Sequence, residues 1–278
     1  MHPILDDHMH LQFQGDNVKA VKEFLKLGGT HLIMSHMPYS DMPLRSLEDF
    51  ERQYERSLSM VEKVRKETEV KIWLTVGPYP ADILRLMEHH SIEKAKDIMM
   101  DAMDLAGKWV EEGRAIAIGE VGRPHFEVSP EVWEASNEIL IHGMEIAKER
   151  GCAIVLHTES ATPEGWKELA SFADRTGMDR GRVVKHFSPP AILPEENQGL
   201  FPSVLASKSN IKKALEKGNR FTMETDYIDD PRRPGAVLSL KTVPKRTKAF
   251  LQNGIMSEED AWKIHKENPE KVYGIEVE

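Results

Sequence analysis

The sequence of 278 residues has a single cysteine, Cys152, which excludes an intrachain disulfide framework. Positive charge is not in excess: Lys+Arg is 37 against 46 for Asp+Glu, a formal charge of −9. An acidic chain is a poor general binder of DNA or of an anionic membrane, although a local basic patch remains compatible with it. No apolar run reaches the roughly 18 residues of a transmembrane helix. The opening residues MHPILDDHMH lack a basic stretch, and acids and histidines break their short apolar run, so a signal peptide is not expected. Internal repeats, low-complexity tracts and linkers are absent as well. The expectation is one cytoplasmic domain over residues 1–278, with no membrane association and no obligate protein partner. A composition of 40% hydrophobic and 30% charged residues is that of a globular enzyme.

What is present is a regular alternation. Short runs rich in Ile, Val and Leu fall at Ile4–Met9, Thr30–Ser35, Val70–Val76, Ala115–Glu120, Ala153–His157, Arg182–Phe187, Phe201–Ala206 and Arg220–Glu224. They lack the strict two-residue alternation of a half-wet antiparallel sheet. Helical periodicity fills the gaps, at Asn17–Leu27, Leu44–Lys66, Ile92–Glu111, Glu131–Arg150, Pro163–Asp174, Ile211–Lys217, Val237–Leu251 and Ser257–Lys266. Parallel strands need crossover connections, so the pattern predicts an α/β protein, a single (β/α)8 TIM barrel. A doubly wound open sheet is the alternative. The proline-rich stretch Ser188–Pro202 reads as a flap rather than a boundary.

A parallel barrel carries its active site at the C-terminal ends of its strands. Those ends hold Asp7-His8-Met9-His10, Gly119-Glu120, His157-Thr158-Glu159, Lys185-His186-Phe187 and Glu224-Thr225-Asp226. His8 and His10 are two apart on an extended strand, so both imidazoles point the same way. Imidazole and carboxylate are ligands for Zn²⁺ and similar divalent ions. Cations would also relieve the repulsion between carboxylates crowded in one barrel mouth. His36 and His125 lie just past strand ends and are candidate substrate contacts. His31 begins a strand and belongs to the opposite end of the barrel.

The order HxH, Glu, His, His, Asp resembles the amidohydrolase superfamily, and within it the TatD-like hydrolases. IGEVG around Glu120, KHFSPP around His186, METDYIDDPRRPG around Asp226 and SEEDAWKIHKENPEKVYGI near the C-terminus are similar to that family's motifs. The resemblance implies a binuclear centre. His8, His10 and Asp226 would hold one divalent ion, His157 and His186 a second, and Glu120 would bridge them. Zn²⁺ is expected first, with Mn²⁺ or Mg²⁺ as alternatives. Asp226 would also act as general base and acid. The sequence departs from the family where an Asp usually follows the strand-four Glu (here Arg123-Pro124-His125), and where an Arg often follows the strand-five His (here Glu159). Arg123, His125 and Glu159 therefore join His36 as expected substrate contacts. So do Arg232 and Arg233, on a loop stiffened by Pro231 and Pro234. The implied substrate is a small molecule or nucleic acid with an anionic group. The implied reaction is deoxyribonuclease-like phosphodiester cleavage. Hydrolysis of a carboxylic ester, lactone, amide or aminoacyl ester is the alternative, and a metal-binding protein without catalysis is a remote third.

Overall fold

In the computed structural model, which describes residues 2–278, nine strands form one sheet. They are β1 Leu5–His10, β2 His31–Ser35, β3 Lys71–Val76, β4 Ala117–Gly122, β5 Ala153–His157, β6 Val183–Ser188, β7 Phe201–Leu205, β8 Thr222–Glu224 and β9 Tyr227–Ile228. Neighbours pair in parallel, in the order β8-β7-β6-β5-β4-β3-β2-β1-β9. The short β9 continues β8 past Thr225 and Asp226 and pairs with Met9 and His10 of β1. Asp226 N–H donates to His8 O at 2.9 Å, and Thr225 N–H to Asp6 Oδ1 at 2.9 Å, so the last strand closes onto the first. The architecture is the TIM barrel that the alternation predicts.

The helices are α1 Val18–Lys26, α2 Leu47–Glu67, α3 Asp82–Met87, α4 Ile92–Glu111, α5 Pro130–Arg150, α6 Pro163–Thr176, α7 Pro194–Asn197, α8 Lys208–Leu215, α9 Thr242–Gln252, α10 Glu258–Trp262 and α11 Asn268–Tyr273. Local chemistry sets many of their ends. Ser129 caps α5 through the N–H of Val132, Pro130 follows in the first turn, and Gly151 ends the helix at φ 62°. The main apolar cluster, with Phe24, Tyr54, Trp109 and Leu140, binds these helices to the strands. A separate cluster gathers Leu5, Ile33, Ala153, Val184 and Phe201, which lie at or near strand beginnings, and Val272 and Tyr273 of α11 join it. The C-terminal helix thus plugs the end of the barrel opposite the strand-end histidines. No helix among the described residues is long and apolar enough to cross a membrane.

Among the segments that differ from the sequence-based expectation, which include β9 and α11, three show a local cause. The helix expected from Val237 begins at Thr242, because Val237 adopts φ 59°, outside helical backbone. α3 was not foreseen, being a short turn between a strand and a long helix. The stretch expected as a flap is anchored instead: it contains α7, and Ile192, Asn197 and Leu200 within it are buried.

Candidate active site

His8 and His10 project from β1 with their rings 5.0 Å apart, and both are buried. Backbone and hydroxyl groups of β2 fix their orientation. Nδ1 of His10 donates to Ser35 O at 2.9 Å, which leaves its Nε2 with a free lone pair. Nδ1 of His8 meets Ser35 Oγ at 3.1 Å, while its Nε2 is buried with no hydrogen-bond partner. Asp226 follows β8 at φ 45°, a left-handed turn that Asp tolerates better than most residues. That turn brings its Oδ1 to 3.3 Å from His10 Nε2 and 3.9 Å from His8 Nε2.

Glu120 lies between two groups of imidazoles. Its Oε2 is 3.6 Å from Nε2 of both His8 and His10. Its Oε1 contacts His157 Nδ1 and lies 3.0 Å from His186 Nε2. The rings of His157 and His186 are stacked 5.2 Å apart, and Nδ1 of His157 is 3.0 Å from Nε2 of His186. Gly122 allows β4 to approach β5 this closely, because a Cβ there would stand 2.3 Å from His157 O. On its far side His186 Nδ1 faces Glu224 Oε1 at 3.5 Å.

The charges on these groups are coupled. Burial would raise the Glu120 pKa, but the imidazoles of His157 and His186 outweigh it and hold the carboxyl well below its ordinary range. Burial would lower the His186 pKa, yet Glu120 and Glu224 push it up to about 10. His8 is held below its usual value by burial and by the neighbouring His186. Asp226, which burial would raise, is held low by its hydrogen bond to His10 and the charges around it. Of these imidazoles His186 is the one that the carboxylates most favour in its protonated form, so a divalent ion bound by it would have to displace that proton.

Do these residues suit metal? His8, His10 and Asp226 each offer a ligand atom within 4.8 Å of the others, and so do His8, Glu120 and His186. All five residues are buried. His8 belongs to both groups, and its orphaned Nε2 is the kind of atom that a cation satisfies. The nitrogen and carboxylate donors fit Zn²⁺ or a similar ion.

A cavity of about 950 Å³ opens above these groups. His125, Glu159 and Arg233 line it, as do His10, Glu120, His157, His186 and Asp226. Nδ1 of His125 lies 2.8 Å from Nε2 of His157. Three expected substrate contacts are positioned differently. The buried His36 turns outward to α2, where Nδ1 meets Ser57 Oγ at 2.9 Å, and burial pushes its pKa down to about 3. Arg123, 0% exposed, points into the helical layer. There it pairs with Glu159 and Glu168 and stacks 4.5 Å over Trp133. Arg232 is exposed and tied to Asp230 at 2.9 Å.

The cavity also contains Tyr79 and Lys185, to which the sequence pattern assigns no role. Tyr79 OH is 3.4 Å from His157 Nε2, and burial raises its pKa. Lys185 is buried, its Nζ donating to His186 O at 2.8 Å. Burial lowers its pKa to about 8 against the opposing pull of Glu224, Glu159 and Glu120. The sequence signal for Lys185 was a charged residue inside an otherwise apolar strand.

Comparison with known proteins adds the family. A family model described as TatD related DNase matches residues 5–274. An uncharacterized protein of Methanocaldococcus jannaschii is 42% identical over 279 residues, covering 99% of this chain and 97% of that protein. A TatD-like protein of Archaeoglobus fulgidus has a similar structure, with a TM-score of 0.67 at 16% identity, covering 98% of this chain and 100% of that one. The phosphotriesterase homology protein of Escherichia coli, solved with phosphate in its active site, gives a TM-score of 0.65 at 15% identity and 98% coverage of both chains. At such identities the structural likeness concerns the fold. Family membership rests on the match across nearly the whole sequence: the chain belongs to the TatD-related DNase family of hydrolases.

Proposed function

We propose that this protein hydrolyses a phosphodiester at a binuclear divalent-metal centre. The observation that carries the reading is Glu120, whose two carboxylate oxygens face separate groups of imidazoles. His8, His10 and Asp226 would hold one ion and His157 with His186 the other, with Glu120 between them. Zn²⁺ is the first candidate, and Mn²⁺ or Mg²⁺ the alternatives. Divalent ions there would supply Lewis acidity and lower the pKa of a water molecule from 15.7 toward about 7. The chain's own residues supply the rest. Asp226, with its carboxylate on the cavity wall, accepts a proton from the attacking water and returns it to the oxygen that leaves phosphorus. Ser35 keeps His10 in one tautomer, and Glu224 supports His186 from behind. The family's description and the phosphate held by the Escherichia coli neighbour support a phosphoryl substrate.

A second reading is hydrolysis of a carboxylic ester, lactone or aminoacyl ester. One observation favours it: Met37, Leu84 and Ile228 also line the cavity, and a neutral acyl group can lie against them. Metal analysis of the purified protein should find about two divalent ions per chain. Chelation should abolish turnover of bis(4-nitrophenyl) phosphate, and Zn²⁺ or Mn²⁺ should restore it. Full turnover in stripped protein with chelator still present would overturn the proposal.

A further inference from the structure

Among the described residues Lys185 is the one lysine that lines the cavity, and it is 2% exposed. Its ammonium has three donors, and one is used, on the carbonyl of the next residue, His186. Among the described residues it makes no salt bridge. Glu224, Glu159 and Glu120 attract it from a distance but none forms a salt bridge with it, and a buried ammonium that touches no carboxylate is a poor structural device, because burying a charge is costly unless it is closely paired. An anionic ligand would complete it.

The rest of the cavity narrows the ligand. Of the other cationic side chains on its wall, Arg85 is taken up by Asp82 at 3.1 Å, and Arg233 stands exposed on the rim. A polynucleotide needs a row of such groups, one for each phosphate that it neutralises. Much of the wall is apolar instead, from Met37, Leu84, Phe187, Leu205, Ile228 and Val237. Phe187 and Val237 are 48% and 36% exposed. They hold φ of 52° and 59°, in a region that side chains of their kind rarely adopt. Two apolar side chains kept in strained backbone at the cavity mouth mark a surface that apolar matter covers. A volume of about 950 Å³ suits one small ligand.

We propose that the cavity takes a small ester with one anionic group and an apolar body, the anion held by Lys185 and the body lying along the Phe187–Val237 wall, in preference to a polynucleotide. This rests on the hydrolase reading above and names its substrate class.

The test uses metal-loaded protein and four substrates: bis(4-nitrophenyl) phosphate, the dinucleotide thymidylyl-thymidine, a single-stranded oligothymidylate and neutral 4-nitrophenyl acetate. KM for the aryl diester should be roughly tenfold or more below that for the dinucleotide, as filling an apolar pocket allows. Lys185→Gln keeps a donor for His186 O and removes the charge. It should raise KM for the aryl diester by roughly tenfold, the size of one charge-assisted hydrogen bond, and leave KM for 4-nitrophenyl acetate unchanged. Calorimetric binding of phenylphosphonate should weaken by a similar factor. Val237→Ser, at an exposed position, should raise KM for the aryl diester by about threefold and leave the dinucleotide unaffected. A lower KM for oligothymidylate than for the aryl diester would overturn the substrate class. Equal effects of Lys185→Gln on anionic and neutral esters would reduce Lys185 to a support for His186. Absence of turnover on every substrate would defeat the hydrolase reading, while the phenylphosphonate titration would still decide the role of Lys185: unchanged binding refutes it, weakened binding upholds it.

Discussion

Acid should loosen this protein through His265, a residue remote from the catalytic groups. Its ring is 0% exposed. Nδ1 lies 3.2 Å from Leu5 N and 3.1 Å from Leu5 O, and Nε2 lies 2.9 Å from Thr247 Oγ1. Burial pushes its pKa down from 6.5 to about 4. Above 6.5 the imidazole is neutral in folded and unfolded chains alike, and the group imposes no penalty. As pH falls below 6.5 the unfolded chain binds a proton that the fold cannot accept, so stability declines until about pH 4, where the folded form also titrates. Each unit is about 1.4 kcal/mol, so the loss from this residue is about 2 kcal/mol at pH 5 and a little over 3 kcal/mol at the limit. Urea unfolding of metal-stripped wild type and His265→Gln, at about pH 7.5 and about pH 5, isolates the effect. The variant is expected to be weaker at neutral pH, having lost fitted contacts. The gap between the two proteins should then shrink by about 2 kcal/mol on acidification, because glutamine has no proton to gain. Equal losses of stability in both proteins would refute the reasoning.

Two further outcomes follow from the site. Asp226→Asn should cut kcat by roughly 10²-fold or more with metal still bound, whereas Glu120→Gln should first reduce metal content, because an amide bridges poorly; kinetics with elemental analysis separates them, and near wild-type turnover in Asp226→Asn would remove it from proton transfer. Arg233→Ala should raise KM for an anionic substrate by up to about fivefold, the scale of an exposed charge, while Arg232→Ala, whose guanidinium is spent on Asp230, should leave KM unchanged.

The strands, and the convergence of His8, His10, Glu120, His157, His186 and Asp226, were legible because parallel strands read as apolar runs, so a histidine or carboxylate at the end of one stands out. Finer orientation was not legible, since it depends on which way each side chain leaves its strand. Ser35 turns inward to His8, so the next residue, His36, turns outward to Ser57. Arg123 turns outward in the same way, toward Trp133. Lys185 escaped for the opposite reason. Beside an inward His186 it should face away from the cavity, but the register of β6 against β7 shifts between Lys185 and Ser188, and Phe187 takes a left-handed backbone. Strict alternation fails there, and both neighbours reach the cavity. A shift of that kind depends on pairing with a distant strand, which local sequence does not report.

The closure of β9 on β1 has a consequence for how the molecule comes into being. His8 and His10 leave the ribosome long before Asp226, with β2 to β8 made in between. Its N–H reaches His8 O only after the last strand has docked beside the first. The His8–His10–Asp226 group therefore exists in the finished barrel and in no partly closed sheet. A cation held there would be a rivet across the seam, and its uptake would mark the moment at which the cylinder becomes whole.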